Sequence, residues 1–181
     1  MGMLDGQVGR QLEVIAEVVG VAQELGVEVW LRGGWAVDFF LGEVTREHLD
    51  VDWFIWSRDA GRLSTALEGR GYERLSGAPP EQQIDFAKDG VENSFALLDT
   101  DDTGRVVVAG GPWRGEPWPT GMLDGPTGAI GLVRCAIIHP RAQIEIKRMM
   151  PIWVPGRPRR TKDIEDIARL EAALNSSNAG H

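Results

Sequence analysis

Asp50 and Asp52 stand two positions apart at the head of the run Val51-Asp52-Trp53-Phe54-Ile55-Trp56. On a strand, that spacing sets two carboxylates on one face. Like charges among apolar neighbours are costly unless a cation neutralises them. The pair therefore reads as a divalent-metal site, and the aromatic run that follows it argues against a solvated strand edge. Upstream, Gly33-Gly34 lies between a β-rich stretch and a short helical one. Without side chains, its backbone N–H groups can approach an anion closely, and a helix start adds partial positive charge. Arg46 precedes the aspartates and can grip phosphate oxygens with paired N–H groups. His48 reads either as a phosphate or carboxylate contact or as a satisfied structural histidine. Asp38, one turn beyond Gly34, reads as a helix-surface residue or as a hydrogen-bond partner of the loop bearing Arg46, with a structural role preferred. A metal beside a phosphate cradle is the equipment of nucleotide chemistry.

Nucleotidyl transfer uses a metal to bridge the triphosphate, and often a second ion about 3.5–4 Å away that activates the attacking hydroxyl. Magnesium takes oxygen ligands and keeps waters, so a few carboxylates suffice. Asp50 and Asp52 supply two, and a third is expected from a neighbouring strand.

The elements that must position these groups follow from periodicity. Leu12, Ile15, Val19, Ala22 and Leu25 have helical spacing, and Gly26 ends that helix. Val27 to Leu31 reads as a strand, Trp35 to Leu41 as a short helix closed by Gly42, and Val51 to Trp56 as a buried strand. Ser57 or Asp59 is positioned to cap a helix over 60–69. Asp89-Gly90 is a two-residue hairpin signal between strands at 84–88 and 91–98. A turn over 99–104 returns the chain into a strand at 105–109. The stretch 110–131, rich in Gly, Pro and Trp, reads as an ordered loop with short strands, with Trp113 and Trp118 packing it down in preference to lining a site. Pro140 starts a helix through Met149; Pro151, Pro155 and Pro158 break the chain. Thr161 is placed to cap a last helix through Leu174. The expected division is an α/β core over 1–138, a helical segment over 139–174 packed on it, and a disordered tail over 175–181.

Composition narrows the class. The chain has 181 residues, 43% of them apolar and 25% charged, as in an ordinary globular protein. Its formal net charge of −8 disfavours nucleic acid as a partner and would attract a cationic small molecule. Cys135 is the one cysteine, so no intrachain disulfide forms, and its apolar run places it in the core. Glu13, Glu17 and Glu24 interrupt the first apolar segment, so no signal peptide or membrane span is expected and a cytoplasmic location is.

The string Gly33-Gly34-Trp35-Ala36-Val37-Asp38, Gly42, Thr45-Arg46-Glu47-His48-Leu49-Asp50-Val51-Asp52 resembles the nucleotidyltransferase superfamily with the polymerase-β-type fold. Within it the string is most similar to the aminoglycoside 2''-adenylyltransferase and lincosamide nucleotidyltransferase group. The likeness continues weakly through 84–98 and returns at Lys147 and in Lys162-Asp163-Ile164-Glu165-Asp166-Ile167. It implies an α+β fold with a mixed β-sheet flanked by helices and a helical C-terminal segment. It implies ATP or another nucleoside triphosphate, two Mg²⁺ ions, and transfer of AMP to a hydroxyl of a small acceptor. Gly33, Gly34 and neighbouring Trp35 would bind nucleotide phosphate, with Arg46, His48, Lys147 and Lys162 as further contacts. Both lysines read equally well as a solvated helix face. Asp50 and Asp52 would bind metal. For the third carboxylate, ligand or general base, Glu92 is preferred, Asp85 competes and Asp99 is third. Two other functions remain in view: modification of a protein or RNA partner, as in toxin–antitoxin nucleotidyltransferases, and a nucleotide-binding relative without turnover. Monomer and homodimer are both compatible.

Overall fold

The computed structural model describes residues 2–180. Its centre is a mixed sheet in the order β1-β2-β5-β4-β3, with β6 also on β5. These strands are β1 (Val29–Arg32), β2 (Val51–Trp56), β3 (Glu73–Leu75), β4 (Gln83–Lys88), β5 (Val91–Thr100) and β6 (Val106–Val108). β2 and β5 run parallel, and every other pair is antiparallel. A parallel neighbour needs a crossover, which α3 (Ser57–Glu68) and the β3–β4 ribbon supply.

Strand alternation sends each strand's side chains to two layers. Leu31, Val51, Trp53, Ile55, Phe95 and their neighbours pack under α1 (Gly2–Leu25) and α3. Trp30, Phe54 and Leu98 face the other way, against Ala142 and Ile146 of α4 (Pro140–Trp153) and Met122 of the 110–126 loop. A third cluster joins Val37 of α2 (Gly33–Leu41) to Ile144 of α4 and to Ile167 and Leu170 of α5 (Thr161–Asn178). The hairpin β7 (Thr127–Ile130) and β8 (Val133–Ala136) lies beside α2 and α1, and places Cys135 in the core, 2% exposed. No described helix is long and apolar enough to cross a membrane.

Asp89 and Gly90 turn the β4–β5 hairpin with φ of 51° and 77°, the left-handed pair that a two-residue loop requires. Several ends differ from the sequence reading. α3 starts at Ser57 itself, and α5 at Thr161 itself; neither has a side-chain cap. Their acids, Asp59 and Asp163, sit in the first turn, where a carboxylate meets the positive end of the helix. Pro151 lies inside α4, which runs on to Trp153, because a proline in the last turn removes only one backbone bond. α5 continues to Asn178 through the stretch expected to be disordered. The Ser176 and Ser177 hydroxyls bond back to the carbonyls of Ala172 and Ala173. Of that tail, His181 lies outside the described residues.

Candidate active site

A cavity of about 1190 Å³ opens beside the N-terminal end of β2, with α4 forming part of its wall. Asp50, at the bend before β2, and Asp52, within it, both line this cavity. Asp52 is in register with Arg32 of β1 on one side and Ser94 of β5 on the other; Asp85 follows on β4. Register partners share a face, so these four form one row across four strands. Burial raises the Asp52 pKa, Arg32 opposes that rise, and Asp50 adds to it. The pair is thus an acidic clamp that gains from a cation.

The glycines fit under it closely. Gly33 opens α2 with φ of 70°, and a Cβ there would lie 2.9 Å from Asp52 Oδ2. A Cβ on Gly34 would lie 2.6 Å from His48 Nδ1 and would strike the Arg46 guanidinium. Gln143 of α4 donates from Nε2 to the Gly33 carbonyl at 3.2 Å, which holds the turn in place.

The loop between α2 and β2 is fixed from beneath. Asp38, fully buried, accepts from Thr45 N at 3.1 Å and Thr45 Oγ1 at 2.5 Å, and pairs with His48 Nε2 at 2.6 Å. The structural role expected for Asp38 therefore holds. His48 stacks on Trp35, with ring centres 4.5 Å apart, while its carbonyl accepts from Gln11. Its ring edge still reaches the cavity wall, but Asp38 takes one of its two nitrogens. Trp35 corrects the sequence reading. It is 1% exposed, packs on Phe39 and does not line the cavity, because the helical turn points it into the core.

The C-terminal helices bring cations and immobilise most of them. Arg46 forms a fork on Asp166 of α5, Nε to Oδ1 at 3.1 Å and Nη2 to Oδ2 at 2.8 Å. Lys147 lies between Asp163 and Asp166, 3.1 Å from each. It touches the cavity, yet two acids already hold its ammonium. Lys162 also lines the cavity and has no ion-pair partner among the described residues. Burial, then the charges of Arg160 and Arg46, lower its pKa. Of the two lysines it is the one with donors to spare.

The third carboxylate is where sequence and structure part. Glu92 is exposed and outside the cavity wall. Asp85 shares the Asp52 row, but it lies two strands away, roughly 10 Å at ordinary strand spacing, and accepts from Gln83 Nε2 at 2.8 Å. Asp99 is exposed and accepts from its neighbour Thr100 N. Among the described residues no three His, Cys, Asp or Glu side chains gather around one metal position. The position beside Asp52 on β5 belongs to Ser94. Two carboxylates, with open space for waters and phosphate oxygens, fit a single magnesium ion. The two-ion centre expected from sequence would need a further acidic ligand, and none gathers beside this pair among the described residues. Trp118 packs on Phe54 at 5.0 Å, as expected, and both Trp113 and Trp118 also line the cavity, the less favoured of the two roles.

The family model described as aminoglycoside-2''-adenylyltransferase matches residues 14–170. The chain belongs to that family. A 2''-aminoglycoside nucleotidyltransferase of Escherichia coli is 37% identical over 68 residues, 36% of this chain, and one of Klebsiella pneumoniae matches equally. The match spans 38% of the length of those relatives. Among solved structures, the antibiotic-resistance factor ANT(2'')-Ia superposes with a TM-score of 0.73 at 22% identity, covering 93% of this chain and 86% of that one. Lincomycin-bound LnuA, a lincosamide antibiotic adenylyltransferase, gives 0.66 at 19%, covering 86% and 92%. At such identities the superpositions establish the shared nucleotidyltransferase fold. The family's α+β architecture, with a mixed sheet and C-terminal helices, is the one found here.

Proposed function

We propose that this member of the family transfers AMP from ATP to a hydroxyl of a small molecule, with one magnesium ion held by Asp50 and Asp52. The observation that carries this reading is the acidic pair facing the side-chain-free Gly33 turn across one cavity. When bound, the ion would neutralise charge on the triphosphate. The chain's own part is positional. The Gly33–Gly34 backbone and the start of α2 receive phosphate oxygens, and Lys162 lines the same cavity. In the transfer, the acceptor oxygen bonds to the α-phosphorus as its bond to the bridging oxygen breaks. The electron pair leaves with pyrophosphate, and the hydroxyl proton passes to solvent or to a nearby carboxylate.

The acceptor belongs to the same proposal. ANT(2'')-Ia has been solved with adenylyl-2''-tobramycin and LnuA with lincomycin, so hydroxylated antibiotics are the first compounds to try. The test is pyrophosphate release from each of the four nucleoside triphosphates with magnesium, across aminoglycosides, lincosamides and hydroxylated metabolites. Turnover that Asp52→Asn abolishes supports the reading; none with any pair sinks it. The ungathered third carboxylate favours one rival, a nucleotide-binding relative without turnover. That rival is recognised by tight triphosphate binding with no pyrophosphate released.

A further inference from the structure

Arg32 ends β1 on the cavity wall, one residue before the glycine turn and in register with Asp52. Its guanidinium carbon lies 4.3 Å from the centre of the Phe54 ring and 5.5 Å from that of Trp118. Two aromatic rings thus contact the group while consuming none of its five N–H donors. Arg46, Arg160 and Arg169 all spend donors on Asp163 or Asp166. Among the described residues, the Arg32 side chain makes neither an ion pair nor a hydrogen bond. Burial lowers its pKa, Asp52 raises it, and Arg157, also on the wall, lowers it further. The nearby Asp52 favours the charge, but the donors of this partly buried group stay unused, and unused donors favour an incoming anion. On the far side of Asp52, where a two-ion centre would need another acid, the strand offers only Ser94.

We propose that Arg32 is a catalytic phosphate-binding residue: its ring-contacted guanidinium donates to non-bridging oxygens of the triphosphate and supplies the positive charge that a second metal ion would otherwise bring. The inference rests on the nucleotidyl-transfer reading above. A planar fork suits two phosphate oxygens at once, and prior contact with the Phe54 and Trp118 rings lowers the ordering cost of each bond. As the bond to pyrophosphate breaks, charge accumulates on oxygens that a fixed donor set already faces.

The test separates phosphate binding from turnover. Inorganic tripolyphosphate is titrated by calorimetry into the full chain with chelator present, so that neither base nor metal contributes. Arg32→Gln should weaken affinity about tenfold or more, and Arg32→Lys by less. Arg58→Gln is the matched control. Arg58 also contacts a ring, 4.9 Å over Trp56, but 68% of its side chain is exposed and it lies off the cavity. Its replacement should leave affinity unchanged. With a turnover substrate and magnesium, Arg32→Lys should lower kcat about 10²–10³-fold while KM moves only a few-fold. Manganese titration of the nucleotide complex should give one bound ion. If Arg32→Gln does not fold, Arg32→Lys carries both arms. Unchanged tripolyphosphate affinity in the Arg32 variants, equal loss in Arg58→Gln, or two bound ions would overturn the proposal. If no nucleotide turns over, the functional reading fails while the binding arm still decides on Arg32.

Discussion

The carboxyl of Asp52 is held above its ordinary pKa by burial, with Arg32 opposing and Asp50 adding to the rise. For an acid, a raised folded-state value means that the ionised form costs stability at neutral pH. Asp52→Asn should therefore end magnesium-dependent pyrophosphate release and yet raise the melting temperature of the metal-free chain. At about 2–4 °C per kcal/mol for a domain of this size, a rise of a few degrees in calorimetry is expected. A large fall would mean that the carboxylate holds the fold together. At Gly34 the expected effect is mixed. Gly34→Ala must push aside Arg46 and His48, an overpacking cost of about 1–3 kcal/mol by chemical denaturation, and should also raise the nucleotide KM. Unchanged stability would show that the loop yields freely. The acidic pair and the glycines were legible in the sequence because their residue types and closeness in the chain carry the signal, although Asp50 lies just before β2 and is exposed. Arg32 was not legible. A single arginine closing an apolar strand carries no periodic signal, and only the register with Asp52 and the rings beside it reveal its place. The Glu92 expectation failed for a related reason, since alternation along a strand says nothing about which partner lies opposite.

Among the elements, α5 fastens the site from outside it. Burial by itself would raise the Asp166 pKa; the Arg46 hydrogen bond and the charge of Lys147 outweigh this and hold it low. Asp163 is lowered in the same sense, burial again opposing, chiefly by Arg160 and Lys147. Depressed folded-state values give stability that is present above the unfolded carboxylate pKa of about 3.9. That stability is lost as pH falls through the lowered values. Thermal melts should thus steepen in their decline below about pH 4, and Asp166→Asn should flatten that limb. Asp166→Ala strands Arg46, leaves Lys147 with Asp163 alone, and should cost about 3–5 kcal/mol, together with a higher nucleotide KM as the Arg46 loop loosens. Equal acid limbs in wild type and Asp166→Asn would refute the linkage. The helices themselves were legible from 3.6-residue periodicity. Their starts were misread, because serine and threonine at 57 and 161 begin the helices without capping them. The contact between α5 and the 43–50 loop, 120 residues apart in the chain, has no local signature.

At the level of the whole molecule, charge is segregated. The chain carries 27 acidic against 19 basic residues, whereas the cavity wall carries seven Lys or Arg against five Asp or Glu. The cavity thus departs from the acidic balance of the chain as a whole. A local positive field draws polyphosphate and is screened by salt. Raising NaCl from about 50 to 300 mM, which shortens the screening length to about 6 Å, should raise the nucleotide KM several-fold in steady-state assays. A KM indifferent to salt would count against that field. The lone thiol offers something different. Burial pushes Cys135 up to about 12, and it sits in the core of the β7–β8 hairpin. At neutral pH it stays un-ionised and shielded, so an alkylating dye finds no native attachment point. Trp113→Cys would then carry a fluorophore at the cavity rim, giving an optical gauge of occupancy without background from the rest of the chain.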